Sequence, residues 1–98
     1  MAEIKWTEEA NQWLKNIFDY IAEDNPSAAE RVIQGIYNKS QVLKSFPEIG
    51  YKYRNEPEGE IRVLLYGHYR IAYLVTANAV EILGVFHGSL KIEEYLKK

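Results

Sequence analysis

Ile4 and Trp6 are apolar and separated by one polar residue, the period of a half-buried strand. From Ala10 the period lengthens. Ala10, Trp13, Leu14, Ile17, Phe18 and Ile21 recur at three-four spacing, which predicts one apolar stripe on an amphipathic helix. Thr7 stands where an N-cap belongs, and Glu8 and Glu9 fall in the first turn, where carboxylates suit the helix dipole. Gln12, Lys15, Asn16, Asp19 and Glu23 occupy the opposite face. Asp24-Asn25-Pro26 then ends this helix and starts another, because Asn25 can cap and proline is tolerated at the first helical position. The second helix sets Ala29, Val32, Ile33, Ile36 and Leu43 on one side. It must stop near Ser45-Phe46, since Pro47 disfavours helix in the residue before it. So short a connection between two amphipathic helices predicts an antiparallel hairpin.

Residues 47–59 read as a loop, with two prolines, two glycines, and Tyr51, Lys52, Tyr53 and Arg54 in the middle. The period then falls to two. Ile61, Val63 and Leu65 alternate with Glu60, Arg62 and Leu64. Gly67-His68 suits a two-residue hairpin turn with glycine at its first central position. Tyr69, Ile71, Tyr73 and Val75 continue as a second strand, residues 76–79 turn the chain, and Val80 to Phe86 make a third. Residues 93–98 predict a short, frayed C-terminal helix. The order is βααβββ: an α+β fold in which a helical hairpin covers one face of a small, mainly antiparallel sheet, the opening strand pairing at an edge.

Composition narrows the classes. Ninety-eight residues make one domain, expected to span 1–98, with 47% hydrophobic residues and thirteen aromatics to build a core. Cysteine is absent, which excludes disulfides and thiolate metal sites. No apolar run is long enough to cross a bilayer and the first residues do not read as a signal peptide, so a cytoplasmic protein with no membrane partner is expected. The net charge of −2 does not favour general nucleic-acid binding. It is unevenly spread, −3 over residues 1–50 and +1 over 51–98, where both histidines also lie. Phosphate-loop, dinucleotide, zinc and Ser-His-Asp signatures are missing, so no cofactor and no metal is expected.

Three ordered stretches carry a resemblance. Trp6-Thr7-x-x-Ala10 followed by Ile17-Phe18-Asp19-Tyr20-Ile21-Ala22-x-Asp24-Asn25-Pro26-x-Ala28-Ala29 resembles the N-terminal half of ParE-type toxins. Leu43-x-x-Phe46-Pro47-x-x-Gly50 is similar to that family's exit from the second helix. Tyr69-Arg70-Ile71-x-Tyr73, with Ile82-Leu83-x-Val85-x-His87-Gly88, resembles its final hairpin. The chain thus resembles the RelE/ParE toxin superfamily, on the ParE-like (plasmid stabilisation) side. The resemblance implies the toxin of a type II toxin–antitoxin pair, neutralised by a cognate antitoxin in a hetero-oligomer. ParE-like members poison DNA gyrase by binding; RelE-like members cut mRNA on the ribosome. A non-toxic relative that only binds its partner is a third reading.

The cleaving chemistry needs a proton acceptor, cations for the phosphate and an acid for the leaving oxygen. By resemblance, Arg70 matches the arginine of the Tyr-Arg motif and Tyr95 the late tyrosine. The lysines expected on the strand before the hairpin are absent, with Arg62 alone remaining, and Gly88-Ser89-Leu90 holds no cation. His87 could act as acid or base, or simply end the last strand on a carbonyl. The catalytic candidates are therefore Arg70, Arg62, His87 and Tyr95. Candidates for contact with target or antitoxin are Lys52, Tyr53, Arg54, Arg62, His68 and Arg70. Arg62 and Arg70 are expected on the open face of the sheet, where pairing with Glu60 or Glu81 is the simpler role. Aromatics interleaved with cations at 51–54 suit docking, or packing on the helices.

Overall fold

Thr7 makes the first joint of the fold. In the computed structural model, which describes residues 2–96, strand β1 (Glu3–Trp6) leads straight into helix α1 (Glu8–Ala22). The Thr7 hydroxyl accepts from the Ala10 amide at 3.1 Å and donates to the Ile82 carbonyl at 2.7 Å. One side chain thus caps the helix and staples it to the sheet. Asn25 caps α2 (Pro26–Ser40) by accepting from the Ala28 amide at 3.1 Å. The end of the expected second helix tightens into a 3₁₀ turn, Gln41–Lys44, which keeps Leu43 buried.

The stretch expected as loop contains a strand. Tyr51–Glu56 is β2, followed by β3 (Gly59–Tyr66), β4 (Tyr69–Val75) and β5 (Ala79–His87). The sheet order is β1-β5-β4-β3-β2, with β1 parallel to β5 and every other pair antiparallel. The helical hairpin on a mainly antiparallel sheet is as expected, and the opening strand does take an edge. The chain order gains one strand, to βααββββ. Residues 51–56 escape a periodicity reading because Tyr53 forms a β-bulge between Lys52 and Arg54, which breaks the alternation.

Two apolar clusters lie on opposite faces of this sheet. The helix face holds Leu64, Ile71, Tyr73, Val80, Ile82 and Val85, packed with Ala10, Ile36 and Leu43. The other face holds Ile61, Val63, Ala72, Leu74 and Phe86. A second bulge, where Ala72 pairs with Gly84 but Tyr73 with Ile82, leaves Leu83 unpaired. It lets Ile82 and Val85, three residues apart, share the helix face.

The second face is covered by the C-terminal segment rather than left open. Ile92 and Leu96 are buried there, with Leu90 packed beside them. The helix expected over 93–98 is a single 3₁₀ turn, Ile92–Glu94; the end of that stretch, residues 97 and 98, lies outside the described residues. Leu90, Ile92 and Leu96 all turn to the sheet from this short segment, and burying them there is what holds the strap down.

Candidate functional site

At one end of the sheet, β4 begins, β5 ends and the β3–β4 turn reverses the chain. Gly67 has φ +57 at the first central position of that turn, so the hairpin closes in two residues and sets His68 beside the end of β5. The Gly88 amide donates to the His68 carbonyl at 2.7 Å and ties the two together. The His68 and His87 rings lie nearly parallel with centroids 6.2 Å apart, and Tyr69 meets His87 edge-on at 5.7 Å. His87 Nδ1 accepts from the Ser89 amide at 3.2 Å and sits 2.9 Å from Ser89 Oγ. A backbone amide can only donate, so the neutral ring carries its proton on Nε2.

Two hollows open at this end. A groove of about 440 Å³ is walled by Trp13, Ile17, Tyr20 and Ile21 of α1 against Tyr69, Val85 and Leu90, with His87 and Ser89 at its polar end. Tyr20, which the helical pattern leaves outside the apolar stripe, is 78% exposed here. The second hollow, about 370 Å³, is lined by Leu65, Gly67, His68, Tyr69, Arg70, His87, Gly88 and Ser89. Tyr69, His87 and Ser89 border both. Burial raises the Tyr69 phenol above its ordinary value, with the Tyr20 charge adding to the shift.

Arg70 faces Leu65 and Phe86 across the sheet and donates through Nη2 to the Leu90 carbonyl. Its Nε is buried without an acceptor, and among the described residues no carboxylate forms an ion pair with it. Arg62 does not share its face. Cross-strand partners lie on one side, Arg62 opposes Tyr73, and Tyr73 is an odd number of residues from Arg70. The expectation of both arginines on one open face is therefore corrected: Arg62 lies on the helix face, Arg70 under the C-terminal strap.

Arg62 is also fully engaged. Its Nη1 donates to the Gly50 carbonyl at 2.7 Å and the Glu48 carbonyl at 3.1 Å, while Nε pairs with Glu60 at 3.0 Å. The Arg62 hydrogen bond holds the Glu60 carboxyl below its usual range, with the Lys52 charge, 3.6 Å away, contributing. Tyr73 completes this corner: its buried hydroxyl accepts from the Gly50 amide at 2.9 Å, and burial raises its phenol. The bulge at Tyr53 sends the loop cations to different faces. Lys52 joins Glu60 on the helix side, whereas Arg54 pairs with Glu56 at 2.6 Å and reaches the Leu96 carbonyl at 3.2 Å. Tyr53 packs on the second cluster, with the Arg54 guanidinium 5.8 Å from its ring centroid.

Tyr95 stacks on Phe86 at 5.9 Å and meets Trp13 edge-on at 5.2 Å. It borders a separate cavity with Thr7, Glu9, Trp13, Glu81, Leu83 and Leu96. Of the four catalytic candidates, only Arg70 and His87 line one hollow. Among the described residues, no group of three or more histidines and carboxylates is placed to hold a metal ion, and no helix is long and apolar enough to cross a membrane.

Residues 4–91 match the family described as ParE toxin of type II toxin-antitoxin system, parDE. The chain belongs to the ParE toxin family. A relative from Sinorhizobium fredii (strain NGR234), named "Putative toxin Y4kP", is 37% identical over 85 residues, covering 87% of this chain and 86% of its own. A solved structure titled as the chromosomal ParDE toxin–antitoxin system from P. aeruginosa shares the fold. It has a TM-score of 0.73 at 24% identity, covering 89% of this chain and 96% of the other. The sequence pointed to this ParE chain's Arg70, His68 and His87 but not to Ser89 or Tyr20. Ser89 had one signal, a polar residue two beyond His87 across a glycine; Tyr20 had another, three residues after Ile17 and seven after Trp13, at the edge of the apolar stripe.

Proposed function

We propose that this ParE-family chain is a growth-inhibiting toxin that acts by binding a macromolecular target, DNA gyrase, and is restrained by a cognate antitoxin. The observation that carries binding over cleavage is the dispersal of the cationic set. Arg62 is spent on the Gly50 corner, Tyr95 borders another cavity, and Arg70 and His87, which border one hollow, extend from opposite faces of the sheet. Two groups fall short of the acid, base and cation array that phosphodiester cleavage needs. The apolar groove along α1 suits the other half of the proposal, because an exposed concave apolar strip accepts an amphipathic segment of an antitoxin.

The test is gyrase supercoiling of relaxed plasmid with the purified chain titrated in alone. Loss of supercoiling, or accumulation of cleaved plasmid, is expected. An unchanged reaction with protein shown to be folded refutes gyrase as the target.

A further inference from the structure

We propose that the groove along α1 selects an acidic amphipathic segment of the antitoxin, seating its apolar side chains against α1 and a carboxylate at the polar end on His87. This rests on the antitoxin reading above and adds the chemistry by which the segment is chosen. The first support is the shape of the strip. Trp13, Ile17 and Ile21 are four residues apart and form one row on α1, with Tyr20 beside them. From Trp13 to Ile21 the row runs roughly 12 Å, the length of about two helical turns. Tyr69 and His87 are cross-strand partners and Val85 lies two residues before His87, so the opposite wall stands on the helix face of the sheet. The groove therefore fits a short segment with an apolar side.

The second support is the polarity of the lining. Its polar members are Asn16, Tyr20, Tyr69, His87 and Ser89; each can donate, and none is an acid. Gln12 donates to the Asn16 side-chain carbonyl at 3.0 Å, so Asn16 has its NH2 left to offer. The Ser89 amide donates to His87 Nδ1 at 3.2 Å, which leaves Nε2–H as the donor of that ring. Burial raises the Tyr69 phenol, so it stays a donor as well. Donors gathered at the end of an apolar strip are complementary to a charged acceptor, because hydrogen bonds to a carboxylate are shorter and about twice as strong as neutral ones. A segment without an acid would cover the same donors and leave them unpaired. The apolar row thus supplies contact area, and the acid decides which segment is taken.

The experiment is NMR titration of the full chain with 4-phenylbutyrate and with 4-phenylbutyramide, probes of the same shape that differ in the charge of one end. Saturable shifts at the Trp13 indole, the His87 ring and the Ser89 amide are expected, with a Kd of roughly millimolar order for the carboxylate. The amide should bind about threefold to tenfold more weakly, and in His87→Gln, at an exposed position, the two should bind alike. No saturable shift, equal binding of the two probes by the parent chain, or a carboxylate preference that survives in His87→Gln overturns the proposal with the antitoxin reading intact. The cognate antitoxin is then added to the chain loaded with 4-phenylbutyrate, and displacement of the probe is expected. A complex that forms and leaves the probe in place removes the antitoxin from the groove, and overturns the proposal through the reading on which it rests.

Discussion

Tyr73→Phe removes one oxygen from the centre of the molecule and tests how the Gly50 corner is held. Tyr73 is 0% exposed and its hydroxyl accepts from the Gly50 amide at 2.9 Å. Phenylalanine fills almost the same space, so the cavity contribution is small. What is lost is a hydrogen bond, and what remains is a buried N–H with no acceptor. Leaving such a donor unsatisfied costs about 1–3 kcal/mol. For a domain of this length, each kcal/mol moves the midpoint by about 4–8 °C, so a fall of roughly 4–24 °C is expected.

Urea unfolding followed by the fluorescence of Trp6 and Trp13 measures the loss directly. The midpoint should drop with the slope unchanged, because the surface exposed on unfolding is the same. Amide exchange locates it: the Gly50 amide should lose protection before the strand amides of β4 do. An unchanged midpoint, or a Gly50 amide as protected as in the parent, would refute the assignment of the corner to this bond.

Arg62→Met should destabilise by about 1–3 kcal/mol, since it takes the donor away from the Gly50 and Glu48 carbonyls and leaves Glu60 facing Lys52 alone; a stable variant in thermal unfolding would return Arg62 to the list of free contact residues. Gly67→Ala should cost about 1–2 kcal/mol through its left-handed backbone, since the added Cβ meets nothing within 4 Å, and Gly67→Asn should cost less. Burial raises both Tyr69 and Tyr73 above the ordinary 10.0, so folding favours their neutral phenols. That stability is fully present below about pH 10 and is lost as pH climbs through the raised values, so alkaline denaturation should set in above pH 10 and be shallower in Tyr73→Phe. Tyr20→Glu, at a position 78% exposed, should leave stability within about 0.5 kcal/mol yet weaken binding of the cognate antitoxin about tenfold or more in a calorimetric titration; undiminished binding would remove the α1 groove from the antitoxin surface.

The helical half of the molecule was legible because its signals are local. Thr7 and Asn25 cap the helices they precede, and Pro26 opens the second, each by a hydrogen bond or a dihedral that involves only neighbours. The β3–β4 hairpin was legible for the same reason, a glycine at the one position with φ +57. Strand β2 was not. Its residues are Tyr, Lys, Tyr, Arg, Asn and Glu, and the bulge at Tyr53 removes the two-residue period that would have marked it. The C-terminal strap was hidden differently. Leu90, Ile92 and Leu96 follow neither the period of a strand nor a full helical stripe, because their order comes from the sheet face beneath them.

The faces of the arginines follow from register, which the sequence leaves open until the turn is placed. Once Gly67 and His68 form a two-residue turn, Tyr66 must oppose Tyr69, and that pairing fixes Arg62 opposite Tyr73 and Arg70 opposite Leu65. The two cations then take different work. Arg62 meets the backbone carbonyls of the corner after the second helix, where its guanidinium makes structure. Arg70 meets the strap, and the strap offers it one carbonyl and no acid. A structural arginine in a small domain is normally matched by acceptors on the same surface, as Arg62 is. Arg70 is not so matched, and the residues that border it are donors as well. The same register that removes Arg62 from a shared site sets His87, opposite Tyr69, on the helix face and Arg70, opposite Phe86, on the face beneath the strap.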